Sequence, residues 1–138
     1  MLSNPKGSPE TIECHGWLES LLLRGFRVYV PEIADYEVRR ELIRANKRKG
    51  IERLNLLETE VVGYLPIATP IMHKAAEFWA AARNLGRKAA EDASLDGDMI
   101  LAAQASSLSS AEDEVLIATT NPRHLDLFAK ARHWKDIL

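Results

Sequence analysis

A chain of 138 residues is long enough for one domain with a proper core and too short for two comfortable ones. At 46% hydrophobic and 28% charged it reads as globular rather than disordered, and the formal net charge of −2 leaves any nucleic-acid surface to local patches. No apolar run reaches membrane-spanning length, no signal peptide opens the chain, and the single cysteine, Cys14, excludes an internal disulfide and fits a reducing, cytoplasmic setting.

The first predicted element is a helix with Ser8 as N-cap, Pro9 at the first helical position and Gly25 as its stop. Ile12, Leu18, Leu21 and Leu22 give it an apolar face. Residues 26–30 read as a short strand bounded by Pro31. A second helix is expected from about Ala34 through Arg48, with Val38, Leu42 and Ala45 buried. Gly50 should break it, and residues 51–58 look helical again. Residues 61–67 are extended. Thr69-Pro70 starts a helix over 71–85 with the run Ala75, Phe78, Trp79, Ala82, and Gly86 ends it. A charged loop, 87–92, leads to Leu95-Asp-Gly-Asp98 and a helix from Met99 to Leu108. Residues 115–119 form the clearest buried strand. Asn121-Pro122 turns the chain, a short helix carries Leu125 and Phe128, and 134–138 closes against the body.

Helices alternating with short apolar strands imply βαβ units and a parallel sheet in one α/β domain over residues 1–138. Such sheets bind ligands at the carboxyl ends of their strands, which marks Pro31-Glu32 and Thr120-Asn121. Glu37 lies one turn into the helix after the first strand, and Asp98 is expected to open the helix Met99–Leu108, with Asp96 two residues earlier. Carboxylates so placed can share a hard cation; each alone can equally be a cap or a dipole partner. Arg39, Arg40, Arg44, Lys47, Arg48 and Lys49 make the second helix strongly basic. That stripe is either a solvated face or a phosphate-binding surface. Arg83, Arg87 and Lys88 are similar candidates. His15, His73, His124 and His133 lack zinc-ligand spacing, and neither a nucleophile elbow nor a phosphate loop is present.

The stretch Tyr29-Val-Pro-Glu-Ile-Ala-Asp-Tyr-Glu37-Val resembles the second motif of PIN domains, a strand leading to a helix that carries an acidic ligand. Leu95-Asp-Gly-Asp98-Met-Ile-Leu-Ala-Ala-Gln-Ala105 resembles the third, and Leu116-Ile-Ala-Thr-Thr-Asn121 resembles the strand that ends at the last. The resemblance implies an αβα sandwich and a ribonuclease dependent on Mg2+ or Mn2+, of the VapC-like toxin type. Glu37 and Asp98 carry over as metal ligands, Asp96 as a third acid, and Asn121 as a substrate-orienting amide where many members have an acid. His124 stands where a further Asp often follows. RNA is the implied substrate, an antitoxin the implied partner, and a homodimer the common state. The substitutions at Asn121 and His124 keep an alternative open: a non-catalytic module that binds RNA or an antitoxin. A receiver domain is disfavoured because no strand ends in an acceptor Asp. Finally, PIN domains open with a strand ending in Asp, whereas this chain opens with a helix. The first strand and first catalytic acid are therefore expected to lie upstream of Met1, and residues 1–138 by themselves are expected to show little ribonuclease activity.

Overall fold

A computed structural model describes residues 9–85, 92–123 and 125–137, with the side chains of 10, 11 and 92–94 left aside. The expected cap Ser8, the stop Gly86, the loop residues 87–91 and His124 lie outside the described residues. The chain divides into two compact units, residues 1–66 with Leu138, and 67–137.

The first unit begins with α1 (Pro9–Leu23). Cys14, Leu18 and Leu21 fall at i, i+4 and i+7 and are all buried, as the helical period requires. Gly25 ends the helix at φ 84°, where the absence of a Cβ removes the left-handed penalty. Its N–H bonds to Leu22 O and that of Phe26 to Leu21 O, the paired closure of a Schellman motif. Strand β1 (Tyr29–Pro31) is shorter than expected and includes Pro31, which is extended at φ −73° and ψ 146° and leads straight into α2 (Glu32–Arg44).

The break after α2 was expected at Gly50 and comes instead at Asn46, which adopts φ 54°. The N–H of Asn46 bonds to Ile43 O and that of Lys47 to Leu42 O, so a second Schellman motif closes the helix. Asparagine is the next best residue after glycine for this conformation. Gly50 lies inside α3 (Arg48–Leu56) and is buried. A π-helical turn (Leu57–Val61) follows and delivers β2 (Gly63–Leu65), which pairs in parallel with β1. Gly63 sits opposite Tyr29; a Cβ there would come within 2.7 Å of the Tyr29 ring, so the close approach itself calls for glycine. The expected buried face of α2 is also corrected: Val38 and Ala45 are exposed and Leu42 is half-buried, while Ile33 and Asp35 are buried.

The second unit opens with α4 (Thr69–Asn84), which has Pro in its first turn. Its neighbour α5 spans Asp92–Leu108, seven residues longer at the front than the expected helix from Met99. The reason lies in the apolar stripe: Leu95 is one i+4 step before Met99 and equally buried, so the packed face runs back past the two acids. Leu95, Met99 and Ala103 meet Ile71, Ala75 and Ala82 of α4 in one core cluster. Ala102 and Ala105 meet Ile117 and Leu125 in another. Phe78 stacks on Phe128 at 4.4 Å and borders both. Strand β3 (Ile117–Thr119) pairs in parallel with β4 (Ala131–His133), through a short connection that holds a 3-10 turn, Leu125–Leu127. β4 escaped the sequence reading because Ala-Arg-His has no apolar run. Trp134, in a final 3-10 turn, is buried as expected. The architecture is α/β with parallel strands; among the described residues these form two two-stranded ladders in place of one wide sheet.

Asn46 yields a direct test. Asn46→Val should lower stability by roughly 1–2 kcal/mol through left-handed strain, whereas Asn46→Gly should be neutral or slightly stabilising. Equal denaturation midpoints for the two variants would contradict the Schellman closure of α2.

Candidate active site

Helix α2 has two chemically different faces. Asp35 and Arg39, four residues apart, share the inner one. Arg39 donates from Nε to Asp35 Oδ2 at 2.9 Å and from Nη2 to Asp35 Oδ1 at 2.8 Å, a two-point ion pair. The same Nη2 donates to Asn55 Oδ1 at 2.8 Å on α3 and lies 3.5 Å from Glu58 Oε1 in the π-helical turn. One guanidinium therefore links α2 to the segment that follows it. Arg39 was assigned to the RNA-binding stripe from sequence; its charge is spent on Asp35 and Glu58.

Two carboxyl groups against one arginine leave a charge to be resolved. Asp35 is held below its ordinary value of 3.8, first by the hydrogen bond from Arg39 against the cost of burial, and then by a hydrogen bond with Glu58 and the Arg39 charge. Burial pushes Glu58 the other way, from 4.5 up to about 7, helped by its hydrogen bond to Asp35 and the Asp35 charge and opposed by Arg39. Two carboxyls can hydrogen-bond to each other only when one holds a proton. Glu58 Oε2 is buried without a donor among the described residues, which a protonated Glu58 tolerates better than a carboxylate. Tyr64 on β2 borders the same cluster. Burial, then the charges of Glu32, Asp35 and Glu58 and a hydrogen bond with Glu32, raises its hydroxyl.

The outer face of α2 carries Tyr36, Glu37, Arg40 and Arg44, all exposed. Glu37 lines a surface groove of about 380 Å3 with Val38, Glu41, Leu42, Arg44, Ala45 and Lys47. Arg40 lies over the Tyr36 ring at 5.1 Å, and Arg44 is paired with Glu41 at 2.9 Å. Lys47, Arg48 and Lys49 are exposed at the turn into α3.

In the second unit, Asp96 and Asp98 lie within α5 and not at its start, so neither is an N-cap. At 3.6 residues per turn, side chains two apart diverge by about 200°. Asp96 is exposed and Asp98 half-buried. Asn121 lies two residues past the end of β3; its N–H bonds to Thr119 Oγ1 at 3.1 Å and its Oδ1 accepts from the Arg123 N–H at 3.4 Å. That oxygen builds the turn at the carboxyl end of the strand. A hollow of this unit, about 770 Å3, is lined by residues such as Ser109, Glu112, Val115 and Lys130. It lies at the entrance of β3, away from the end where parallel strands present their chemistry.

Among the described residues no three His, Cys, Asp or Glu side chains converge on a point that could hold a metal, and no helix is long and apolar enough to cross a membrane. The sequence reading missed the Asp35–Arg39–Glu58 cluster. The i, i+4 spacing of Asp35 and Arg39 was the available signal; Glu58, on a separate turn, offered none.

The cluster makes stability depend on pH in a stated direction. An acid whose pKa is higher folded than unfolded takes up a proton on folding. Glu58 support is therefore complete below about 4.5 and declines as pH rises through about 7, whereas Asp35 support is complete above 3.8 and is lost only in stronger acid. Denaturation midpoints should fall from about pH 5 to about pH 8, and Glu58→Gln should flatten that slope. An unchanged slope in Glu58→Gln would remove Glu58 as its source.

Neither a curated protein nor a solved structure matches the chain. The family model of the PIN domain matches residues 2–131, across both units and through Glu37, Asp96, Asp98 and Asn121. The chain belongs to the PIN domain family, whose members are of nuclease type, generally use divalent metal ions and bind RNA.

Proposed function

We propose that the protein is a metal-dependent endoribonuclease of the VapC-like toxin type, built as one PIN domain from both units. The observation that carries this reading is the family match through all the acidic positions, taken with the outward presentation of Glu37. Because the Asp35–Arg39 pair occupies the inner face of α2, the Glu37 carboxylate stands exposed on the groove beside a basic helix. Glu37 and Asp98 would hold the cation, and Asp96 would add charge. These are oxygen donors only, the set that Mg2+ and Mn2+ prefer. When bound, such a cation supplies charge stabilisation and an activated water for phosphodiester hydrolysis. Arg40, Arg44, Lys47 and Arg48 would bind the phosphate backbone, with Arg39 withdrawn from that role by its inward ion pair. An antitoxin partner, a homodimer and a cytoplasmic location complete the reading.

A second reading is a PIN-fold module that binds RNA or an antitoxin without cutting. It is favoured by Asn121, an amide whose oxygen already accepts from Arg123 N–H.

Manganese titration followed by the loss of free-ion paramagnetic signal separates the two. The nuclease reading expects Mn2+ binding that weakens in Glu37→Gln and in Asp98→Asn, with RNA cleavage reduced at least about 100-fold in either. Mn2+ affinity untouched by both substitutions would sink it. RNA binding without cleavage in any divalent metal, by protein to which an upstream strand ending in Asp has been restored, would establish the second reading in its place. In the same preparations, Arg40→Ala with Arg44→Ala should lower both RNA affinity and the salt slope, by about one to two released counterions. An unchanged slope would make the stripe a solvated face.

A further inference from the structure

We propose that Tyr36 and Arg40 form a stacking subsite for a nucleobase of single-stranded RNA, next to Glu37 on the outer face of α2. The inference rests on the RNA reading above and adds a recognition element to it.

Tyr36 is 56% exposed on a folded helix, a position where a tyrosine contributes little to the core. Among the described residues its hydroxyl takes no hydrogen-bond partner. Arg40, one helical turn on, places its guanidinium carbon 5.1 Å from the ring centroid. The other arginines of α2 are otherwise engaged: Arg39 grips Asp35, and Arg44 is paired with Glu41. Among the described residues Arg40 makes no ion pair, so it keeps its charge, and with one face of the guanidinium toward the Tyr36 ring the other face is left for a ligand. An exposed aromatic ring with a guanidinium beside it offers a nucleobase two π surfaces, and stacking of this kind tolerates any base.

The surroundings supply the rest of a single-strand track. The groove that starts at Glu37 runs past Arg44 to Lys47, and Arg48 and Lys49 follow at the start of α3. With Arg44 offset by Glu41, it is Lys47, Arg48 and Lys49 that suit a phosphate backbone, and a base turned out of the strand would meet Tyr36. An A-form duplex keeps its bases stacked inside and could not use the ring, so the occupant is a single strand.

The test compares two ligands of equal length and charge, a short oligouridylate and an abasic oligomer, by fluorescence anisotropy in EDTA so that nothing is cleaved. Tyr36→Ala should weaken oligouridylate binding by about tenfold, leave abasic binding unchanged and leave the salt slope unchanged; Tyr36→Phe and Tyr36→Trp should restore wild-type binding. Thermal melts keep the comparison to folded protein, and the exposure of Tyr36 makes each variant tolerable. Equal loss for both ligands, or no loss for either, overturns the stacking subsite and leaves the RNA reading standing. A wild-type protein that binds neither oligomer overturns both.

Discussion

Everything that α2 shows to solvent follows from the arginine it keeps inside. Taking a carboxylate and a guanidinium out of water is costly unless the two meet with good geometry and their remaining hydrogen-bonding groups are satisfied. Asp35 and Arg39 meet that condition with two short bonds, and Asn55 and Glu58 take up the guanidinium from α3 and the π-helical turn. The bond to Asn55 and the approach to Glu58 tie α2 to α3 and to the π-helical turn. Once Asp35 faces inward, Tyr36, Glu37 and Arg40 must face out. It also explains why a chain segment with little apolar content can hold its place: α2 buries only Ile33 and Asp35. The anchor is polar where the second unit's is apolar.

In the second unit the constraint is volume. Ala75 and Ala82 of α4 face Leu95, Met99 and Ala103 of α5, so small side chains on both helices let larger ones interdigitate. Ala102 and Ala105 leave room on another side of α5 for Ile117 and Leu125. On this helix Asp98 lies half-buried directly beside Met99. Enlarging Ala102, which is fully buried, would push on the β3 side of the core, and the overpacking would cost about 1–3 kcal/mol. Asp98 is thus carried by a well-packed element.

Patterns that depend on one helix and its own stops were legible in the sequence. Pro9, Gly25, Leu18 and Leu21 marked α1, although Ile12, read into the same face, is exposed and Cys14 takes its place, and Thr69-Pro70 with Ala75 and Ala82 defined α4, because period and capping chemistry act locally. Features set by a second element were not. Gly50 looked like a breaker because isolated glycine weakens helices, yet tertiary packing buries it within α3, and the true stop is Asn46. The Leu95-Asp-Gly-Asp98 string looked like a turn because three of its residues are turn formers, yet Leu95 and Met99 bind it to α4 as helix. β4 depends wholly on its partner β3, and Glu58 acquires its meaning only from Asp35 and Arg39. The family motifs survived these errors because they rest on residue type and order and do not need the helix boundary to be right.

The basic run 39–49 shows how far a charge count can stand from a surface potential. Six cations in eleven residues suggest a uniform phosphate-binding stripe. The fold sorts them into three kinds. Arg39 is neutralised inside by Asp35, and Arg44 is offset on the surface by Glu41. Arg40 lies on an aromatic ring, which does not neutralise it, and Lys47, Arg48 and Lys49 cluster at the turn into α3. The uncompensated charge therefore collects at two places, one beside Tyr36 and Glu37 and one at the far end of the groove. A polyanion attracted to this helix is drawn to both at once, and the groove between them then sets the direction in which it lies. Electrostatic attraction of this sort supplies affinity without sequence preference. Whatever discrimination the helix exerts must come from contacts that a bare phosphate chain cannot make, and among the exposed residues of α2 only Tyr36 offers an aromatic face.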